Sequence, residues 1–352
     1  MTNKNLNIAL ASNEPFFPGL WGTTISLLAS MPSAGNLTLH VFDFGLSDQS
    51  WNTLEKAVLS HPHPPKLNRL TLKSFSSVFE NLKAPNGTSK AFYTRLFFAE
   101  LFEFDRLIYL DSDLLVFKDL NQLSDVDIAN SAGAAVLNED GPTLDFDIEI
   151  EECERLQLNP KSNYFNSGVM WMNLEYWRAN KLTQKCVDYL NSDEPIRFHD
   201  QTTINVVMND QIKLLDSSWN RIVKRCDPDE LVTPDSVLHY TEEKPWFTRQ
   251  RTPASELFKK FCIDTGLEWR DPPEVLTIWD RFEYLNLPRS LAYRGLATWH
   301  RARKNDDRAF AYQAAADYWQ EWFANREQRG NSYAMANRSI SENSYGPDWL
   351  VH

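Results

Sequence analysis

Short apolar runs and longer amphipathic runs alternate along the first two-thirds of the chain. Asn7–Ala11 predicts a strand, Ser12–Pro15 a loop, and Leu20–Met31 a helix stopped by Pro32. Leu37–Phe44 alternates and is rich in β-formers, so a second strand is expected there. Ser47 is placed to N-cap a helix running to Leu59, and Leu67–Leu72 predicts a third strand. His61-Pro62-His63-Pro64-Pro65 between them reads as a rigid connection whose histidines are solvated turn residues. Lys83–Lys90 is a polar loop, and Phe92–Phe102 reads as an apolar helix interrupted by Arg95. Further strands are expected at Leu107–Leu110, Ala132–Leu137, Val169–Leu174, Ile212–Leu215 and Val237–Tyr240. Leu174–Leu190 predicts one amphipathic helix, and Asp200 is a candidate cap for another through Met208. Strands alternating with helices specify a layered α/β sheet.

Arg106–Val116 stands out, because apolar runs lead into and out of Asp111-Ser112-Asp113. A carboxylate at the end of a buried strand is costly unless a cation or strong donors compensate it. In extended chain Asp111 and Asp113 project to the same side, where hard oxygen ligands could share a divalent metal. Asp-Ser-Asp is also ordinary turn chemistry; the flanking apolar runs favour the metal. Arg95 has two readings, an ion pair with a nearby acid or a guanidinium fork for phosphate oxygens. Asn166-Ser167-Gly168 is a turn signal presented by the strand that follows, and its polar groups suit sugar hydroxyls. A lone strand-end histidine such as His239 is commonly structural, but Lys244-Pro245-Trp246 follows it closely.

Charge narrows the ligands. The 36 basic and 48 acidic residues give a net −12, which excludes a nucleic-acid binder with a broad basic face. An acidic chain that handles phosphates needs local compensation from a metal, a lysine or helix N-termini. Cys153, Cys186, Cys226 and Cys262 include no CxxC pair, so buried thiols are expected. Met1–Lys4 runs into a strand with no apolar signal core, and no stretch approaches membrane-spanning length, so a cytoplasmic location is expected. Past Arg249 the chain turns helical and rich in arginine. Arg281–Lys304 carries six basic residues against Glu283 alone, with aromatics between them. That composition suits peripheral contact with anionic lipid on the inner face of a membrane, or a packed helical face in water. From Asn331 the polar tail is expected to be mobile.

Taken in order, Asn7–Phe16, Tyr93-Thr94-Arg95, Leu110–Asp113, Tyr164–Gly168, Asp200-Gln201, and His239-Tyr240 with Lys244-Pro245-Trp246 resemble glycosyltransferase family 8. This is the family of glycogenin and of bacterial lipopolysaccharide α-galactosyl- and α-glucosyltransferases. The resemblance implies a GT-A fold, a Rossmann-like mixed sheet flanked by helices, over residues 1–250. A helical C-terminal region (251–330) and the tail (331–352) would follow. It implies a retaining transfer of glucose or galactose from a UDP-sugar to a glycan or glycolipid hydroxyl. By position, Asp111, Asp113 and His239 would hold the metal, Mn²⁺ with Mg²⁺ as the alternative; an imidazole among carboxylates favours Mn²⁺. Lys244 and Arg95 would act on the departing diphosphate or the sugar. Asn166, Ser167, Asp200 and Gln201 would surround the donor sugar, Ser112 would join the donor site, and Ala11, Asn13 and Phe16 would line the uridine pocket.

The chain departs from that pattern at three places. Asn13 stands where some relatives carry aspartate, and Thr202 where relatives often read Asp-Gln-Asp. The His239-to-Lys244 spacer, Tyr240–Glu243, is one residue short. Without a carboxylate at Thr202, front-face attack is favoured over double displacement. Two rivals are a metal-dependent nucleotidyltransferase, which lacks a Gly-rich triphosphate loop here, and a silent sugar-nucleotide-binding protein.

Overall fold

The computed structural model describes residues 5–31, 33–82, 90–192, 199–226, 231, 235–241, 244–247 and 252–271. The Arg281–Lys304 segment, most of the expected C-terminal helical region (251–330) and the 331–352 tail lie outside them. In chain order the first elements are β1 (Leu6–Ser12), α1 (Phe17–Ser30), β2 (Leu37–Asp43), α2 (Asp48–Leu59), β3 (Lys66–Thr71) and α3 (Leu72–Phe75). Then come α4 (Phe98–Leu101), β4 (Arg106–Leu110), β5 (Leu114–Val116), β6 (Gly133–Leu137), α5 (Ile150–Arg155) and β7 (Phe165–Asn173). The rest are α6 (Leu174–Ala179), α7 (Leu182–Leu190), α8 (His199–Val207), β8 (Ile212–Leu215), β9 (Arg221–Ile222), β10 (Val237–His239) and α9 (Pro253–Asp264).

Seven strands form one mixed sheet in the order β3-β2-β1-β4-β7-β6-β8. β1 runs parallel to β2 and β4, while β7 is antiparallel to both β4 and β6. Because side chains alternate across a pleated strand, each central strand feeds two cores. Ile8, Leu10, Ile108, Leu110, Val169 and Trp171 enter one core. Ala9, Ala11, Leu107, Tyr109, Met170 and Met172 enter the other. A sheet buried on both faces explains why β4 reads as a continuous apolar run. The expected mixed α/β sheet is what the chain forms.

A second sheet, in the order β5-β10-β9, begins three residues past Asp111, at Leu114. On its free edge, β5 lies along α1. Leu114 N donates to Thr23 Oγ1 (2.9 Å), Val116 N to Ser26 Oγ (2.8 Å), and Ser30 Oγ to the Val116 carbonyl (2.7 Å). Hydroxyls on one face of the helix thus satisfy a strand edge that water would otherwise have to reach. That contact fixes the Asp111–Asp113 connection between the two sheets. Gly19 permits the close approach, since a Cβ there would lie 2.1 Å from the Ser112 carbonyl oxygen.

Three local expectations are corrected. Phe92–Phe102 is no continuous helix; a 3-10 turn at Thr94–Phe97 precedes α4. Asn166-Ser167-Gly168 is no turn but the N-terminal part of β7, opposite a register shift at Ala135/Val136 in β6. Leu174–Leu190 is broken at Lys181, whose φ of 52° separates α6 from α7. Ser47 caps α2 as expected, accepting from Ser50 N at 3.1 Å. His63 N donates to His61 Nδ1 within their own turn. Cys153, Cys186 and Cys262 are buried free thiols, and Cys226 is half-buried. Among the described residues no helix is long and apolar enough to cross a membrane.

Candidate functional site

The parallel strands β1 and β4 end side by side at the point where strand order reverses, the crevice in which α/β sheets bind ligands. Asp111 follows β4, and its N–H donates to the Gly168 carbonyl (2.8 Å). Tyr240 N donates to the Asp113 carbonyl (3.0 Å), which brings the end of β10 and its His239 against the same loop. One ligand atom each from Asp111, Asp113 and His239 lies within 4.8 Å of the others. His239 Nε2 is 3.3 Å from Asp113 Oδ1 and 3.7 Å from Asp111 Oδ2.

The imidazole is oriented from behind. His239 Nδ1 lies 2.8 Å from Asn220 Oδ1, while Asn220 Nδ2 donates to Asn166 Oδ1 (2.8 Å). The Asn220 oxygen therefore accepts from Nδ1–H, which leaves the Nε2 lone pair facing the two carboxylates. Asn166 Oδ1 also accepts from Gly168 N (2.9 Å). Gly168 is needed for space: a Cβ there would lie 2.3 Å from His239 Cε1 and 2.9 Å from Asp111 Oδ2.

These residues suit a divalent cation. Asp113 Oδ1 is buried without a hydrogen bond and faces His239, and two carboxylates with a neutral imidazole are a donor set for Mn²⁺-like ions. The other Asp113 oxygen is occupied, with Oδ2 2.5 Å from Lys244 Nζ. Lys244 Nζ also donates to the Tyr240 carbonyl. Burial pushes the Asp113 carboxyl up, but the Lys244 ammonium outweighs it and holds the carboxyl well below the ordinary carboxylate range.

Arg95 is the second organiser. Its guanidinium sits 2.8 Å from Asp111 Oδ1 and 2.7 Å from Asp200 Oδ2, the latter an ion pair without hydrogen-bond alignment. Nη1 donates to the Ser167 carbonyl (2.6 Å) and Oγ (3.0 Å). The cation also lies 4.1 Å from the centre of the Tyr109 ring, whose hydroxyl donates to Asp111 Oδ1 (2.5 Å). Burial opposes its charge, and Asp111 and Asp200 more than offset that. Of the two readings of Arg95, the ion pair is the one present. Asp200 is pushed up to about 7 by burial and by Asp111, against the pull of Arg95. Its carboxylate turns to Arg95, and Asp200 sits inside the first turn of α8, which begins at His199.

Gln201, one residue on, bridges two elements. Its Oε1 accepts from Ser167 N (3.1 Å) and its Nε2 donates to Tyr164 Oη (3.2 Å). Ala11 is buried at the end of β1. Asn13 Oδ1 accepts from Phe16 N (3.2 Å), and Phe16 packs edge-on against Trp246 (5.9 Å) and Phe247 (5.2 Å). Ser112 is buried between the two aspartates and under Gly19. The fold thus gathers Asp111, Asp113, His239, Lys244, Arg95, Ser167, Asp200 and Gln201, with Asn166 behind them. Sequence reading missed Asn220 and Tyr109. An asparagine in Trp219-Asn220-Arg221 carries no signal that it will lock an imidazole.

The family model described as "Glycosyl transferase family 8" matches residues 7–250. General stress protein A of Bacillus subtilis is 26% identical over 70% of this chain and 90% of its own length. The lipopolysaccharide 1,2-glucosyltransferase of Escherichia coli K12 is 27% identical over 77% of this chain and 80% of its own. Among solved structures, the bifunctional glycosyltransferase WbbM superposes with a TM-score of 0.63 at 19% identity, covering 79% of this chain. This chain spans about half of that protein, 52%. The mixed sheet of these glycosyltransferases is the GT-A fold, and the matched span contains every member of the Asp111–Asp113–His239 cluster. The chain belongs to glycosyltransferase family 8.

Proposed function

We propose that the protein is a Mn²⁺-dependent, retaining hexosyltransferase that moves glucose or galactose from a UDP-sugar to a glycan or glycolipid hydroxyl. The observation that carries this reading is the convergence of Asp111, Asp113 and His239 on one point, with Lys244 on the same carboxylate. A Mn²⁺ ion held by those three would offset the charge of the UDP diphosphate. Lys244 would place a second positive charge at the leaving group, and Arg95 would hold Asp111 and Asp200 in register around the donor. Asn166, Ser167, Asp200 and Gln201 would flank the sugar, and Ala11, Asn13 and Phe16 the uridine.

Position 202 offers a hydroxyl, not a carboxylate, which supports front-face transfer. The acceptor oxygen bonds to C1 on the face from which the C1–O bond to UDP breaks. The acceptor's proton passes to the departing phosphate oxygen. The Escherichia coli relative, a lipopolysaccharide 1,2-glucosyltransferase by name, supports glucose and a glycolipid acceptor. Peripheral contact with anionic membrane through 281–304 belongs to the same proposal; flotation with anionic vesicles at low salt tests it.

The experiment is UDP release from a panel of UDP-sugars, with Mn²⁺ and then with EDTA, before any acceptor is supplied. One donor should release UDP only with metal. Pyrophosphate release would point to nucleotidyl transfer. UDP binding without turnover of any donor would reduce the protein to a sugar-nucleotide binder.

A further inference from the structure

Asp147 lies at the end of the acidic loop that precedes α5, and its side chain is buried. Its Oδ2 accepts from Tyr164 Oη (2.9 Å) and from Thr202 Oγ1 (2.6 Å). Both donors flank Gln201: Thr202 is its neighbour in α8, and Tyr164 Oη receives its amide at 3.2 Å. Thr202 is the position at which the resemblance calls for a second carboxylate. Here a carboxylate from another element reaches the hydroxyl at that position.

The direction of these bonds is determined by proton supply. A tyrosine hydroxyl has one proton, and a charged carboxylate only accepts. With that proton given to Asp147, the Tyr164 oxygen is left as an acceptor. It can pair only with the NH₂ end of the Gln201 amide. The carbonyl end must then face Ser167, where it accepts from Ser167 N (3.1 Å) and lies 3.4 Å from Ser167 Oγ. Ser167 Oγ and carbonyl in turn accept from Arg95, which holds Asp111 and Asp200. A flipped amide would set NH₂ against the Ser167 N–H and carbonyl against an oxygen with no proton left to give. Burial keeps the Tyr164 hydroxyl protonated by raising its pKa well above the ordinary value.

We infer that Asp147 is a positioning residue that fixes the orientation of the Gln201 amide through Tyr164, replacing a carboxylate at position 202. Its consequence for catalysis rests on the reaction proposed above; its consequence for the amide does not. Asp147→Asn is the sharp probe because it keeps size while making the relay reversible. The asparagine NH₂ can donate to Tyr164, whose proton is then released toward Gln201.

Two readouts separate the possibilities. The first is donor hydrolysis by the full chain, comparing Asp147→Asn, Tyr164→Phe, Gln201→Ala and the doubles with Gln201→Ala. Misplacement of a site group by about 1 Å can cost about a hundredfold. Asp147→Asn and Tyr164→Phe should therefore lower kcat ten- to a hundredfold, leave the donor KM within about threefold, and add nothing in the Gln201→Ala background. Multiplicative losses in the doubles, or an unchanged kcat, would overturn the inference. The second readout is thermal unfolding in EDTA without donor, where the Asp147→Asn and Gln201→Ala shifts in Tm should be non-additive. Non-additivity in a protein that turns over no UDP-sugar would uphold the relay and sink the proposed reaction. Additive shifts would sink the relay whatever the turnover.

Discussion

Lys244 Nζ stands 2.5 Å from Asp113 Oδ2, so a lysine already neutralises one carboxylate of the cation site. Both side chains are buried, with 7% and 12% of their surface exposed. Removing one partner of such a pair leaves an uncompensated charge and costs about 3–5 kcal/mol. Lys244→Met should therefore unfold at a lower temperature in EDTA. Mn²⁺ should raise its Tm by more than it raises that of the parent, because no lysine competes for Asp113. Donor turnover should fall in the same variant. Equal Mn²⁺-induced shifts in the two proteins would show that Lys244 and the metal do not share the carboxylate.

Asn220→Ala tests the support of the imidazole. Asn220 fixes which His239 nitrogen carries the proton, and losing such a partner costs 10- to 100-fold in metal affinity. Calorimetric titration with Mn²⁺ should show a loss of that order. Unchanged affinity would mean that Asp111 and Asp113 orient the ring unaided.

How much of this was legible in sequence differs by element. β1, β2 and β4 were readable because burial on both faces writes a short apolar run. Phe92–Phe102 misled because Thr94, Arg95, Leu96, Phe97 and Phe98 are all buried, so no polar stripe separates a 3-10 turn from a helix. Asn166-Ser167-Gly168 reads as a turn by propensity, but tertiary contacts win: Gly168 is small for the sake of His239 and Asp111. Asp111, Asp113 and His239 could be named from order and resemblance. Asn220 and Asp147 could not, since their roles arise from residues 19 and 55 positions away.

Gly168→Ala follows from that contact. The added methyl would enter within 2.3 Å of His239 Cε1, and overpacking of this kind costs about 1–3 kcal/mol. The sheet should survive, with a far-ultraviolet spectrum like that of the parent, while Mn²⁺-dependent stabilisation is lost. Retained metal binding would place the cation away from the His239 edge.

Two buried groups should give the stability of the apo protein opposing pH dependences. His40, between Asn7 and Asn68 and beside the rings of Phe102 and Phe104, is lowered to about 4 by burial and then by Lys66. The unfolded chain takes up this proton near 6.5 and the folded chain does not, so stability falls as pH drops from about 6.5 to about 4. After allowance for partial screening, that loss is of order 2 kcal/mol. Asp200, raised to about 7 by burial and Asp111, works the other way. The folded chain keeps this proton longer, so stability falls as pH rises from about 4 to about 7, by roughly 4 kcal/mol. Asp113 stays charged throughout, because Lys244 holds it down. Denaturation in EDTA should therefore show only partial cancellation in the parent, a net loss of about 2 kcal/mol between pH 4 and 7. Asp200→Asn should uncover a curve that rises with pH, and His40→Asn one that falls more steeply. If both variants parallel the parent, neither group titrates where its surroundings place it.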